Sequence, residues 1–324
     1  SSSLVSASVP ANVFNRAETL DNLFLALFQA EEGPRWPGNI KKLKIVAVPS
    51  FDVDGNIVAL RTEVRDARDV KAFSTEDGRI EHSALTFWTD EDGEDVTPEI
   101  TDPEDPDYPL DEEEVVGSDG RSVERGGAGQ QIPGFLDGSG DCANAGPGAS
   151  NADTCARQLY SEDPSSLVTL VAFNQDDTTA TLFKDYLDQD AGDAAEAQEI
   201  IGWSRGLYDR TVVGDRVTTQ RWLMGDAIHS RPLAINFGDD DGTGGYDRDN
   251  PNIHLFFGAN DGWFRSIKNT TSGGAQSGVE SWAFMPLEVM PKQQVLSKDS
   301  RTRAEDWHPY GVDGRPVALV IDND

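Results

Sequence analysis

Cysteine, histidine and methionine are scarce in this chain, basic residues are outnumbered, and no long apolar run occurs. The 324 residues include 2 Cys, 3 Met and 4 His, and 27 Lys+Arg stand against 58 Asp+Glu, a formal charge of −31. The shortage of clustered base argues against DNA or RNA as a partner, since phosphate contacts need Lys and Arg. It argues equally against electrostatic docking on anionic lipid. The longest apolar stretch, Leu23 to Phe28, falls far short of the roughly 18 residues a membrane-spanning helix requires. Four histidines without an H-E-x-x-H or His/Cys cluster leave no zinc-protease pattern. No G-x-S-x-G elbow is present. Gly126-Gly127-Ala128-Gly129 lacks the Lys-Ser/Thr of a phosphate-binding loop.

What the sequence has instead is acid, glycine and short β-like segments. At roughly 150 residues per domain, the length fits two ordinary domains or one large propeller, barrel or sandwich. Such an acidic surface stays soluble in salt, as on secreted proteins of saline habitats. The chain opens on Ser1-Ser2-Ser3-Leu4 with no visible leader, and it stops just after Val317–Ile321, which reads as a strand. Both ends are expected to be cuts from a longer protein. Cys142 and Cys155 lie in a Gly/Asn/Asp-rich loop. They read as a disulfide closing a surface loop in an oxidising compartment, with two free thiols as the alternative.

Along the chain, residues 1–16 are expected to form an extended lead-in. Leu20 to Phe28 fits either a helix or a buried strand, and periodicity cannot separate the two. Asn39–Val48 reads as a strand, Val53-Asp54-Gly55-Asn56 as a turn, and Ile57–Leu60 as its returning partner. Residues 90–114 hold fourteen acids and no Lys or Arg, so 90–125 is expected to be an acidic loop insert. Residues 126–157 read as a Gly-rich loop, and Leu167–Phe173 as a strand. Residues 193–205 are the clearest helix, with Asp190 or Asp193 as N-cap and Gly206 at the C-terminal cap. A second helix is expected over Leu287–Lys298, opened by Pro286. Pro232–Phe237, Ile253–Gly258, Trp263–Lys268 and Glu280–Phe284 read as four short strands, the spacing of a sandwich, barrel or propeller.

One acidic stretch has the outline of a calcium loop. Asp239, Asp241, Thr243 and Asp247 stand at positions 1, 3, 5 and 9, with Gly244 at position 6. Ca²⁺ takes six to eight hard oxygens around a sharp glycine turn. Position 12 is Asn250 rather than a bidentate Glu, which weakens the expected affinity. A solvated insertion between two strands is the competing reading. Asp52–Asn56 reads as a hairpin turn, and Asp188, Asp190 and Glu199 run into the expected helix. Seven tryptophans are expected chiefly to anchor the core, with a sugar-stacking platform as the alternative.

The segment 221–286 contains Gly225-Asp226-Ala227-Ile228-His229-Ser230-Arg231-Pro232, then Gly258-Ala259-Asn260-Asp261-Gly262-Trp263-Phe264, then Gly278-Val279-Glu280-Ser281-Trp282-Ala283-Phe284-Met285-Pro286. It closely resembles the C-terminal β-propeller of the PilY-type type IV pilus biogenesis and tip-adhesin family, whose pattern is G-D-I-x-H-S-S-P, G-A-N-D-G-M-L-H-A-F and G-x-E-x-W-A-F-x-P. Trp36–Leu43, Gly126–Gly129, Ile200–Gly206 and Tyr310–Pro316 resemble further family segments, so the likeness runs from about Ala17 to the end. Arg231 and Trp263-Phe264-Arg265-Ser266 depart from the pattern.

The resemblance implies a mainly β fold, part of one β-propeller of short antiparallel blades with a few inserted helices and long acidic loops. It makes Leu23–Phe28 a strand, 221–324 the most recognisable blades, and later blades missing. It implies a non-enzymatic pilus assembly factor and cell-surface adhesin supporting adhesion and twitching motility. Expected partners are type IV pilins or minor pilins and a host-cell or surface receptor. Gly225, Asp226, His229, Ser230, Pro232, Asn260, Asp261, Gly262 and Trp282 are expected to be structural: a tight turn at Asn260-Asp261-Gly262, His229 fixing a strand entry, Trp282 locking blades together. A quinoprotein-like propeller dehydrogenase and a carbohydrate-binding surface module are the alternatives. Against the first stand the short chain and the lack of an adjacent Cys pair.

Overall fold

Leu23 to Phe28 forms a strand because both of its faces are buried, which also explains why its sequence does not alternate. The computed structural model of the chain describes residues 4–8, 21–89, 118–132, 157–188, 192–206, 222–238, 251–270, 276–298 and 308–319. Strands β1 (Leu4–Ser8), β2 (Asn22–Phe28), β3 (Gly38–Phe51) and β4 (Ile57–Arg65) pair in that order as an antiparallel sheet. Leu23, Leu25 and Leu27 pack with Leu43, Ile80 and Val123 on one side of it. Phe24 and Ala26 face a second cluster on the other. The β3–β4 hairpin turns where expected. Asp52 Oδ1 accepts from the N–H groups of Asp54 and Asn56 at 3.0 and 2.8 Å. Its outer half carries Phe51, Ile57, Val58 and Leu60 into solvent.

The second sheet has six strands, ordered β6-β5-β10-β9-β8-β7. They are β5 (Leu159–Asp163), β6 (Ser166–Ala172), β7 (Leu233–Asn236), β8 (Ile253–Gly258), β9 (Phe264–Lys268) and β10 (Glu280–Met285). All neighbours are antiparallel except β10 with β5, which is parallel. Leu255, Phe257 and Ile267 of this sheet meet Phe24, Ile40 and Trp88 of the first side, so the two sheets share a core. The protein is mainly β, and among the described residues neither sheet closes into a barrel.

Among the described residues, four helices accompany the sheets. α1 (Gly127–Gln130) is one short turn. α2 (Asp177–Leu187) starts where Asp176 Oδ1 accepts from Thr179 N–H at 2.7 Å. α3 (Ala194–Arg205) starts the same way at Asp193 and ends at Gly206, as the sequence indicates. α4 (Lys292–Lys298) follows a 3₁₀ turn over Leu287–Val289. The continuous helix expected over Leu287–Lys298 is therefore broken, at the Pro291 that cannot donate into a helical ladder. The helices cover β5 and β10, with Phe173, Phe183, Ile200, Trp263, Met285 and Met290 forming that core.

Other expectations shift. Leu4–Ser8 is strand β1 rather than a mere lead-in, because it pairs with β2 along Leu4↔Phe28 to Ser8↔Phe24. Of the acidic insert, 90–117 lies outside the described residues; 118–125 is loop as expected, and within it Ser118, Asp119, Gly120 and Val123 are buried. Lys41 explains this. Its ammonium lies 2.9 Å from Asp119 Oδ2, and Asp119 also receives the N–H and hydroxyl of Thr86. Of the Gly-rich loop 126–157, Gly127–Gln130 is buried helix, and Arg157 leads into β5. Val317–Leu319 is not a strand. Among the described residues it pairs with no strand, and Val317 and Leu319 are exposed; Val320 and Ile321 of the expected strand lie outside the described residues.

Candidate functional site

The motif residues converge on one cleft. Trp36-Pro37-Gly38 runs against Met224-Gly225-Asp226: Gly38 N–H donates to Met224 O at 2.9 Å, and Asp226 N–H donates to Trp36 O at 3.1 Å. The backbones meet so closely that a Cβ on Gly38 would sit 2.3 Å from the Gly225 carbonyl oxygen. Trp222 Nε1–H donates to Gly38 O at 2.6 Å. Asn39 gathers the α1 loop, donating to Val123 O and Gly126 O and accepting from Gly129 N–H.

The Asn260-Asp261-Gly262 turn joins β8 to β9 as expected. Gly262 has φ +93, a left-handed value that suits glycine, and its N–H donates to Ala259 O at 3.1 Å. Asp261 Oδ2 accepts from Gly225 N–H at 2.8 Å, and Asn260 Nδ2 donates to Asp226 Oδ2 at 2.6 Å. Asn260 Oδ1 accepts from Gly311 N–H at 2.9 Å, tying the 308–312 segment to the same turn. These contacts join stretches from Trp36 to Val312 that lie far apart in sequence.

Beneath the turn is a buried ion network. Arg265 donates to Asp261 Oδ1 at 2.9 Å and to Glu280 Oε2 at 3.0 Å. Arg157 clamps Glu280 through Nε and Nη2 at 2.7 and 2.9 Å. Burial alone would push the Glu280 carboxyl up; the guanidiniums of Arg157 and Arg265 outweigh it and hold it below its ordinary value. Asp261 behaves alike, held down against burial by Arg265. Arg265 thus bridges the Asn260-Asp261-Gly262 turn and Glu280 of β10.

His308 is the residue sequence reasoning missed. Its ring stacks on Trp36 with centroids 4.0 Å apart. Nδ1 lies 3.0 Å from Pro34 O, a carbonyl that only accepts, so Nδ1 carries a hydrogen. Nε2 lies 3.1 Å from Asp226 Oδ1 and 3.2 Å from Asn260 Nδ2. A neutral ring accepts from Asn260 and leaves Oδ1 without a hydrogen bond; a charged ring donates to Oδ1. Both nitrogens are engaged within the protein and the side chain is 3% exposed, so this pair is ill-placed for acid–base work on a substrate. No spacing in the sequence marks His308, which meets Asp226 only through the fold.

The other expected residues separate. His229 is exposed and pairs with Asp313 at 2.7 Å rather than fixing a strand entry. Ser230 takes that role: its Oγ accepts from Gly258 N–H at 2.9 Å. Pro232 leads into β7. Trp282 is half-buried on the outer face of the six-stranded sheet, beside Phe256 and Phe264, and away from the cleft. Trp88, Trp203 and Trp263 are core, as expected. Asp239, Asp241, Thr243 and Asp247, with Cys142 and Cys155, lie outside the described residues. Among the described residues, no group of three or more His, Cys, Asp or Glu is placed to hold a metal ion, and no helix is long and apolar enough to cross a membrane.

The cleft itself has a volume of about 200 Å³. Trp36, Trp203 and Trp222 line it, with Glu124, Asp226 and His308. Burial, and next the neighbouring Glu31 charge, push the Glu124 carboxyl up to about 7. Compared with protein-family models, curated proteins and solved structures, the chain gives no match.

Proposed function

We propose that the chain is part of a β-propeller in a PilY-type protein of type IV pilus biogenesis, acting at the cell surface or pilus tip by binding rather than by catalysis. The observation that carries this reading is the convergence of the motifs. The segments resembling that family, at Trp36–Leu43, Gly126–Gly129, Gly225–Pro232, Gly258–Phe264, Glu280 and Gly311–Val312, are the ones that bond to one another around Asp226, Asn260 and Asp261. The residues of the resemblance thus meet in one interlocked hub, which gives them a reason to occur together. Within the six-stranded sheet, β7-β8-β9-β10 are four successive antiparallel strands of four to six residues, and this supports the reading, since propeller blades are four-stranded sheets. The engaged state of His308 favours a non-catalytic role. The protruding β3–β4 hairpin, with Phe51, Ile57 and Leu60 exposed, offers contact surface of the kind an assembly factor uses.

In this reading the partners are pilins or minor pilins, with a surface receptor for adhesion. The test is to immobilise the purified chain and titrate purified type IV pilins and minor pilins, with an equally acidic unrelated fimbrial subunit as control. Saturable binding to a type IV subunit and none to the control is expected. Failure of every pilin and minor pilin to bind would overturn the proposal.

A further inference from the structure

The six-stranded sheet has one face in the core and one outside it. Alternation turns Ala234, Leu255, Ile267 and Ala283 inward, against the four-stranded sheet and helices α2 and α3. Their strand neighbours point the other way. There Phe237, His254, Phe256, Phe264 and Trp282 form a continuous row of rings from the end of β7 to β10, with centroids 5.7 to 6.3 Å apart. The face is open at both margins: Phe237 is 57% exposed, and Leu170 on the edge strand β6 is 62% exposed. A chain of charge −31 places almost no charge here. Within the strands, Lys268 and Glu162 are the ionised groups that alternation puts on this side, and they cancel. Burial, and next Lys268, push His254 down to about 4, so its ring is uncharged at neutral pH. Aromatic enrichment with depletion of charge marks the centre of a protein–protein interface.

The charge distribution also selects the occupant. Two copies of so acidic a chain repel across most of their surface, and this face is where they can meet without opposing like charges. A face that matches itself is what a two-fold contact requires. Its size is sufficient. Six strands about 4.8 Å apart, each about five residues long at about 3.4 Å per residue, make roughly 500 Å² in projection, so two copies bury at least about 1,000 Å², the least a specific interface needs. We propose that the outer face of the six-stranded sheet is an interface between two copies of this chain, with the ring row of one sheet packed on that of the other. The interface stands independently of the pilus reading.

Sedimentation equilibrium of the full chain in reductant, from about 1 to 100 μM, tests it. A monomer–dimer equilibrium is expected, tightening as salt screens the remaining acidic surface. Phe256→Lys, at the centre of the ring row, is expected to raise the dissociation constant about tenfold or more, as loss of a central aromatic does. Phe237→Lys repeats the test at the exposed end of the row and carries it alone should Phe256→Lys not fold. Both variants make the chain less acidic, so loss of the dimer would not come from added net charge. Leu60→Lys, on the exposed β3–β4 hairpin, is the control and is expected to dimerise like the wild type. A monomer throughout the range overturns the proposal. So does a dimer that survives both ring substitutions, or one that Leu60→Lys abolishes.

Discussion

Replacing Glu280 by Gln removes one charge from the centre of the molecule with almost no change of shape. Glu280 is 1% exposed and faces Arg157 (2%) and Arg265 (0%). In the wild type, two guanidiniums are balanced by two carboxylates, Glu280 and Asp261. In the variant, Asp261 stays with Arg265, and Arg157 keeps only neutral acceptors, the amide oxygen of the introduced Gln and carbonyls such as Ser204 O at 3.2 Å. Breaking a buried pair by removing one partner costs about 3–5 kcal/mol. The Gln side chain keeps one acceptor for Arg157, which places the loss near 3 kcal/mol, a large part of a typical domain stability of about 5–15 kcal/mol. Urea unfolding followed by tryptophan fluorescence measures it, since the Trp263 ring lies 5.7 Å from the Arg157 guanidinium. The double variant Arg157→Met/Glu280→Leu replaces charge with apolar volume and is expected to recover much of the loss. The sign with pH follows from the same network. The folded-state carboxyl titrates below its ordinary 4.5, so its contribution is complete above that value and disappears as pH falls through the folded titration. Glu280→Gln is therefore expected to flatten the acid limb of the stability curve. A loss under about 1 kcal/mol with an unchanged acid limb would refute this reasoning.

Glu124 has the opposite sign. Its carboxyl is raised from 4.5 to about 7, so its stabilising contribution is present below the ordinary value and lost as pH rises through about 7. Glu124→Gln is expected to melt higher than wild type at about pH 8, by at most about 3 kcal/mol, and to match it near pH 4; the reverse order contradicts the burial of this side chain. Gly38→Ala pushes a methyl against the Gly225 carbonyl, and overpacking of that kind costs about 1–3 kcal/mol; an unaltered melting temperature would show that the two backbones are not so close. For the loop at Asp239, Asp241, Thr243 and Asp247, calcium calorimetry is expected to show saturable binding that Asp239→Ala/Asp241→Ala abolishes, and no heat at millimolar calcium removes the loop as a site.

The local chemistry of the fold was legible where one or two side chains decide the outcome. Asp193 and Gly206 bracket α3 because capping acts within a turn of chain. The β3–β4 turn and the four strands from Leu233 to Met285 follow from alternation and turn residues. Leu23–Phe28 was ambiguous because a strand buried on both faces has no period to read. Helix α2 was missed, although Asp176 caps it and Ala180, Phe183 and Leu187 share its buried side. The 118–125 segment is loop, as the sequence indicates, but its burial is not legible there because it comes from Lys41, a residue far away in sequence. The cleft was half legible. Asp226, Asn260 and Asp261 stood out as motif residues, whereas His308, Arg157 and Glu124 act through contacts that only the folded chain creates.

The most direct test of the pilus proposal is to delete the gene in its source cell and count surface type IV pili by electron microscopy. The expected result is loss of pili and twitching, restored by the intact gene but not by a copy lacking β7–β10. Normal piliation and motility in the deletion strain would contradict the assignment.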